Sequence, residues 1–118
     1  MPKLSKDNLI ADKSIKFAIK IVALVSKFPK NPAGFAIGDQ LVRSGTSVGA
    51  NIQEAQRARS RKDFKNCMGI ALKEASECRY WLYLTKQSKL HEMNDTLYDD
   101  CEEVIKILST IIYKLNVT

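Results

Sequence analysis

Five positively charged side chains lie within nine residues of this 118-residue chain, and clustered cations of this kind bind phosphate groups. They are Arg57, Arg59, Arg61, Lys62 and Lys65. Ser60 followed by Asp63 predicts a helix start inside the cluster, because this S-x-x-D spacing caps the first backbone N–H groups. A helix start is already the positive end of the helix dipole, so the cations are unfavourable there unless an anion is bound. The cluster therefore predicts an anion site; the alternative is a solvated turn with salt bridges to acidic residues of the last helix.

A second basic surface is predicted on the first helix. Its lysines project within an arc of roughly 80° at helical periodicity, and no acidic residue interrupts the row. The row consists of Lys6, Lys13, Lys16, Lys20 and Lys27. We assign Lys13, Lys16 and Lys20 to a candidate nucleic-acid-binding surface, and the alternative is a solvated helix face.

No set of residues for catalysis or metal binding can be assembled from the sequence. Phosphate-loop, dinucleotide-binding and H-E-x-x-H motifs are missing, as is any zinc-like Cys/His spacing. The chain has one histidine, His91, and three cysteines at unrelated spacings, which we interpret as reduced thiols in helix cores. We therefore expect no enzymatic activity, no metal and no cofactor.

Length and composition predict one domain spanning residues 1–118. The net charge is +6, and residues 91–118 carry six acidic and only two basic side chains, so the first ninety residues are strongly basic. No apolar stretch is long enough to cross a membrane, and the first residues do not resemble a signal peptide. These features predict a cytoplasmic protein without a membrane partner.

Hydrophobic periodicity predicts four helices joined by short connections. The first should begin near Asp7 or Asn8 and end near Lys27, and the second should span about residues 34–57. The third should span about residues 61–86, and the last should begin at Asn94 or Asp95 and end near Leu115. On the first helix the expected apolar face is broad and includes Ile15, Val22 and Phe17. The resulting fold class is all-α, an antiparallel up-down four-helix bundle.

Two features of the middle helices predict close contacts. Gly45 and Gly49 lie in a run of small residues of the second helix, where each glycine costs roughly 1 kcal/mol relative to alanine. We expect this cost to be offset by tight packing against the third helix. Ile70, Trp81 and Leu84 form an apolar line away from the core stripe of the third helix, and we predict that they form an oligomer interface.

Several segments resemble one known family. They are Leu41-Val42-Arg43-Ser44, the stretch from Ser47 to Ala55, Asp63-Phe64 and the stretch from Ala71 to Leu82. They are similar to the bacterial four-helix-bundle proteins of the 23S rRNA intervening-sequence type. That group includes accessory variability proteins that work beside the reverse transcriptases of retroelements. The resemblance implies an up-down bundle that assembles as a homopentamer and offers basic surface to nucleic acid.

The sequence thus favours a non-catalytic homo-oligomeric protein that binds RNA or DNA through basic surface. The alternative is a protein–protein adaptor or scaffold, for instance an accessory to a reverse transcriptase, that makes no direct contact with nucleic acid. A pull-down of RNA and protein from the host would distinguish the two.

Overall fold

Four helices make up nearly all of residues 6–117, the part of the chain that this computed structural model describes, with side chains from Leu9 onward. Helix α1 spans Lys6–Val25, α2 Pro32–Ala55, α3 Arg61–Gln87 and α4 Thr96–Val117. Each helix packs against the next, and α4 packs back against α1, while the diagonal pairs do not meet. The result is the predicted up-down four-helix bundle, with dimensions of 46 × 22 × 20 Å.

Side-chain contacts show that neighbouring helices are antiparallel. The first residue of α3, Arg61, reaches the carbonyl of Leu115 near the end of α4. At the opposite end, Lys86 of α3 pairs with Asp95, just before α4 begins. The connection between α2 and α3, which carries the predicted cation cluster, therefore lies at the end of the bundle far from the acidic start of α4.

Capping residues set the starts of α2 and α3. Asn31 is the N-cap of α2, where its side chain accepts a hydrogen bond of 2.8 Å from the backbone N–H of Gly34. Pro32 follows as the first helical residue, a position where its fixed φ favours the helix and its missing N–H costs nothing. This is why α2 begins two residues earlier than the sequence predicted. Ser60 caps α3 as predicted, accepting from the N–H of Asp63 at 3.0 Å.

The core divides into two apolar clusters along the bundle. One contains Ile10, Val48, Ile52, Met68, Ala71 and Leu108, and the other contains Phe17, Ile21, Leu41, Cys78, Leu82 and Cys101. The predicted core stripes of α2, α3 and α4 all contribute to them. On α1, however, Ile15 and Val22 are 42% and 47% exposed, so only part of the broad apolar face predicted from the sequence lies in the core. Because α1 contacts only α2 and α4, it buries the side between them and leaves the rest of its apolar arc open.

The glycines of α2 pack tightly, but against α1 and not against α3 as the sequence predicted. A β-carbon on Gly45 would lie 3.0 Å from Cγ2 of Ile21, and one on Gly49 would lie 3.2 Å from Oγ of Ser14. The reason is helical phase: these two glycines project toward α1, whereas Ser44 projects toward α3, where its hydroxyl contacts Cys78. Close packing itself is therefore supported, with a different partner.

We expect Gly45→Ala to lower the melting temperature. The new methyl would press on three atoms of Ile21, which is fully buried and stiff at its β-branch. Overpacking costs about 1–3 kcal/mol and helix propensity returns roughly 1 kcal/mol, so a net loss of about 1 kcal/mol is expected. Gly49→Ala should cost less, because it meets mainly one hydroxyl. Thermal melts of both variants, at one protein concentration, check this; higher melting temperatures for both would contradict it.

Candidate nucleic-acid interface

Four exposed cations surround the connection between α2 and α3. Arg57, Arg59, Lys62 and Lys65, here called the basic turn, make no ion pair with any residue in the described range 6–117. No ion pair therefore offsets the repulsion between these like charges at this end of the bundle. An anionic ligand would relieve it.

Arg61, the fifth predicted cation, has a structural role that the sequence did not reveal. Its guanidinium Nη2 donates a hydrogen bond of 2.8 Å to the carbonyl oxygen of Leu115. This carbonyl belongs to the last turn of α4, the negative end of that helix dipole, where a cation is stabilising. Arg61 thus ties the start of α3 to the end of α4.

The N-terminus of α3 is occupied by its own cap. Asp63 donates its backbone N–H to Ser60 Oγ, while its carboxylate accepts from the backbone N–H of Arg59 at 3.4 Å. The arrangement is similar to a capping box, except that the carboxylate accepts from the residue before the N-cap, and it brings one negative charge to the helix start. A phosphate at the basic turn would therefore be bound by cationic side chains more than by the helix amides.

The alternative interpretation of the basic turn required ion pairs with acidic residues of α4. Within residues 6–117 three of the four acids of α4 pair elsewhere, because the antiparallel arrangement places the start of α4 at the far end. Glu103 binds Lys13 at 2.9 Å, Asp100 binds Lys20 at 2.7 Å and Glu102 binds Arg79 at 2.6 Å. The pair with Arg79 raises the pKa of its guanidinium.

These same ion pairs change the second candidate surface, the lysine ridge of α1, defined as Lys13, Lys16 and Lys20. Two of its three cations face α4 carboxylates across a cavity of about 110 Å³, and Lys16 alone makes no ion pair with the described residues. Exposed ion pairs are weak, so a ligand can still reach the lysine ridge. The carboxylates of Glu103 and Asp100 nevertheless offset much of the positive charge of the ridge. The basic turn is therefore the stronger candidate for binding nucleic acid.

The predicted interface residues on α3 do not form one continuous apolar surface. Ile70 is 47% exposed, whereas Trp81 and Leu84 are half-buried and Trp81 packs against the core cluster of Phe17 and Leu41. Glu77 lies between Ile70 and Trp81 on the same helix face, at steps of seven and four residues.

An ion-pair network crosses the line formed by Ile70, Trp81 and Leu84 on α3. Arg43 of α2 binds Glu77, and its Nη1 lies 3.1 Å from Oε1 of Glu74. The indole N–H of Trp81 is buried without a hydrogen-bond partner in the described structure. The α2–α3 groove is therefore mixed in character, with apolar residues interrupted by charge.

A larger apolar surface, which sequence reasoning missed, lies between α1 and α2. A groove of about 560 Å³ is lined by uncharged residues, chiefly Ile15, Ile19, Val22, Thr46 and Ala50. The signal was present, because the apolar arc of α1 is wider than one helix interface needs.

The cysteines are free thiols in the structure. The Cys101 thiol donates a hydrogen bond of 3.3 Å to the carbonyl oxygen of Ala75. The neighbouring Cys78 thiol and, after it, burial raise the pKa of Cys101. Burial also raises the pKa of Cys67, assisted by the nearby Asp63 and Glu54 carboxylates. Among the described residues no cluster of His, Cys, Asp and Glu has the arrangement of a metal site, and no helix has the length and apolarity of a membrane span.

Comparison with known proteins places this bundle in a family. Residues 6–110 match the 23S rRNA-intervening sequence proteins. A crystal structure from Bacteroides thetaiotaomicron, described as a protein with unknown function from the S23 ribosomal protein family, is 42% identical to this chain. The match covers 92% of this chain and 99% of that one, with a TM-score of 0.86. No curated protein matches. The extent of both matches shows that the chain belongs to the 23S rRNA-intervening sequence protein family.

Proposed function

We propose that this protein is a non-catalytic, homo-oligomeric binding protein whose basic turn contacts RNA or DNA. The observation that carries the proposal is the concentration of four exposed cations without acidic partners at one end of the bundle. Elsewhere in the described chain, acids in α4 or just before it pair with cations of α1 and α3. The basic turn is thus the region where a polyanion gains most from charge neutralisation.

Contacts of this type recognise phosphate and carry no sequence information. Affinity should therefore fall steeply with salt, with a slope of about −0.9 in log K against log salt for each duplex phosphate neutralised. Titrating two RNAs of unrelated sequence from about 50 to about 200 mM salt tests this. Equal, salt-sensitive affinities are expected. Undetectable binding at the lowest salt would contradict the proposal.

Assembly is the second part of the proposal, and five copies are expected from the family resemblance. Ile70, with the half-buried Trp81 and Leu84 beside it, and the uncharged α1–α2 groove are two separate apolar patches, and exposed apolar patches mark contacts between proteins. Two different patches on two sides of a bundle favour a head-to-tail contact, which closes into a ring if the rotation permits.

Light scattering at micromolar concentration should therefore show an oligomer. Ile70→Glu should shift the population toward smaller species, because it buries a charge in the predicted interface. A monomeric wild-type protein would exclude the assembly, and an oligomer unaffected by Ile70→Glu would move the interface to another face.

A protein–protein adaptor, for instance an accessory to a reverse transcriptase, is the second candidate function. The uncharged α1–α2 groove favours it, because such a groove suits an apolar partner surface better than a nucleic acid. Ile19→Glu distinguishes the uses of this groove. If the groove serves a second copy, the variant should lose the oligomer. If it serves another protein, the variant should keep the oligomer and lose only that protein in a pull-down.

A further inference from the structure

The side of α3 that faces away from the bundle combines exposed cations with exposed aromatic rings. Lys62, Lys65, Lys73, Tyr80 and Tyr83 fall within an arc of about 80° on this helix, and we call them the outer face of α3. All five side chains are exposed. At about 1.5 Å per residue, the outer face extends roughly 30 Å from the basic turn toward the other end of the bundle.

Acidic side chains lie outside this arc. The three acids of α3 are turned toward its neighbours or its start: Asp63 is used in the cap, and Glu74 and Glu77 bind Arg43. The outer face of α3 therefore carries only positive charge. It is continuous with the basic turn, because Lys62 and Lys65 belong to both.

The two tyrosines are placed as a stacking surface. Tyr80 is 56% exposed and Tyr83 is 54% exposed, and they are three positions apart, so they are neighbours on the helix surface. The ring of Tyr80 makes an edge contact with Trp81, with centroids 5.0 Å apart and planes at 74°. Trp81 is anchored in the core, so this contact orients Tyr80 while leaving it open to solvent.

We propose that the outer face of α3 binds single-stranded nucleic acid, with phosphates on its lysines and unpaired bases stacked on Tyr80 and Tyr83. This inference rests on the proposed function and specifies the form of nucleic acid. A positive track that binds the backbone, joined to aromatic rings that bind bases, is the arrangement by which proteins hold single strands without reading sequence. A duplex offers its phosphates to the lysines but keeps its bases paired and stacked, so the tyrosines add nothing to duplex binding.

The test compares a fluorescein-labelled 20-nucleotide oligouridine with a 20-base-pair RNA duplex in anisotropy titrations of the full chain. Tyr80→Ala and Tyr83→Ala should each raise the Kd for the single strand by about tenfold, as loss of one stacked base predicts. The Kd for the duplex should not change, nor should the salt dependence of single-strand binding, because no charge is altered.

Tyr113→Ala is the matched control, since Tyr113 is 66% exposed but lies on α4. It should leave both Kd values unchanged. Tyr80→Phe and Tyr83→Phe keep the ring and should retain single-strand affinity, which keeps the test valid if an alanine variant folds poorly.

Each contrary result overturns the inference in a distinct way. Equal weakening of single strand and duplex would mean that the tyrosines do not act by stacking on unpaired bases, and no weakening at all would remove them from the site. Both results leave the basic turn as proposed. Loss of the oligomer in the alanine variants, with affinity retained, would assign the tyrosines to contacts between copies. If the wild-type protein binds neither RNA at low salt, the proposed function fails together with this inference.

Discussion

Gly34→Ala should lower the melting temperature by roughly 10 °C, more than any other single methyl addition at a glycine of this chain. A β-carbon at residue 34 would lie 1.9 Å from the carbonyl oxygen of Pro29 and 3.0 Å from its carbonyl carbon. These are backbone atoms of the turn between α1 and α2, so no rotamer change can relieve the overlap. The turn itself must move.

That movement would disturb two features that hold the α1–α2 connection. The N–H of Gly34 donates to the capping side chain of Asn31, and Phe28, next to Pro29, is buried in the core beside the His91 ring at 5.8 Å. We expect a cost of about 3 kcal/mol, the upper part of the range for overpacking, reduced by less than about 1 kcal/mol through helix propensity. For a chain of this length 1 kcal/mol corresponds to roughly 4 °C.

Gly69→Ala is the matched control. Gly69 lies in the middle of α3, and a β-carbon there would meet nothing within 4 Å. Alanine should therefore raise the melting temperature by a few degrees, since only the propensity gain remains. Both melts must be made at the same protein concentration, because the proposed assembly would make the transition concentration-dependent. A Gly34→Ala protein that melts at or above the wild-type temperature would show that the turn accommodates the methyl.

The fold could be predicted from the sequence because every element carries its own signals. The heptad spacing from Leu97 to Ile111 gives one side of α4, and those residues are all buried. Ser60 with Asp63 gives the start of α3. Such signals depend on residues close together in the chain, so a pattern within one helix is enough to find them.

It was harder to predict which neighbouring helix contacts a given face of α2. Gly45 and Gly49 predict that another helix packs tightly against α2. Which helix this is depends on the rotation of α2 about its axis within the bundle. The exposure of Ile15 and Val22 has the same origin, since an apolar arc does not state how much of it a partner covers. Periodicity gives the apolar face of a helix but not which neighbour each part of that face contacts, and α2 packs against both α1 and α3.

The ion pairs were the hardest feature to predict from the sequence, because they join residues that are far apart in the chain. The acidic residues of the last thirty positions were available to neutralise either basic surface. The antiparallel arrangement decides between them: Glu103 and Asp100 meet the lysine ridge, and the basic turn is left at the other end. Two basic surfaces that are equal candidates in the sequence thus become unequal in the fold.

Because the two basic surfaces differ in this way, we expect charge-reversing substitutions to affect RNA binding differently at different places on the bundle. The double variant Arg59→Glu, Lys62→Glu should weaken RNA binding by at least about tenfold at low salt and reduce the salt slope by about two, since each lost phosphate contact removes about one. The control is Lys27→Glu, Lys30→Glu: both lysines are exposed, without ion pairs among the described residues, and at the opposite end of the bundle. Each double variant lowers the net charge from +6 by the same amount, so a difference between them reports position and not total charge.

The lysine ridge supplies the third comparison, with Lys16→Glu, Lys20→Glu. If the basic turn is the site, this variant should resemble the control, because Lys20 already shares its field with Asp100. Circular dichroism should show unchanged helicity in all three, as each substitution is at an exposed side chain. Strong weakening by the ridge variant, with the Arg59→Glu, Lys62→Glu protein unaffected, would transfer the nucleic-acid site from the basic turn to α1. Equal weakening by all three would mean that only the overall charge attracts RNA, and that neither surface is a defined site.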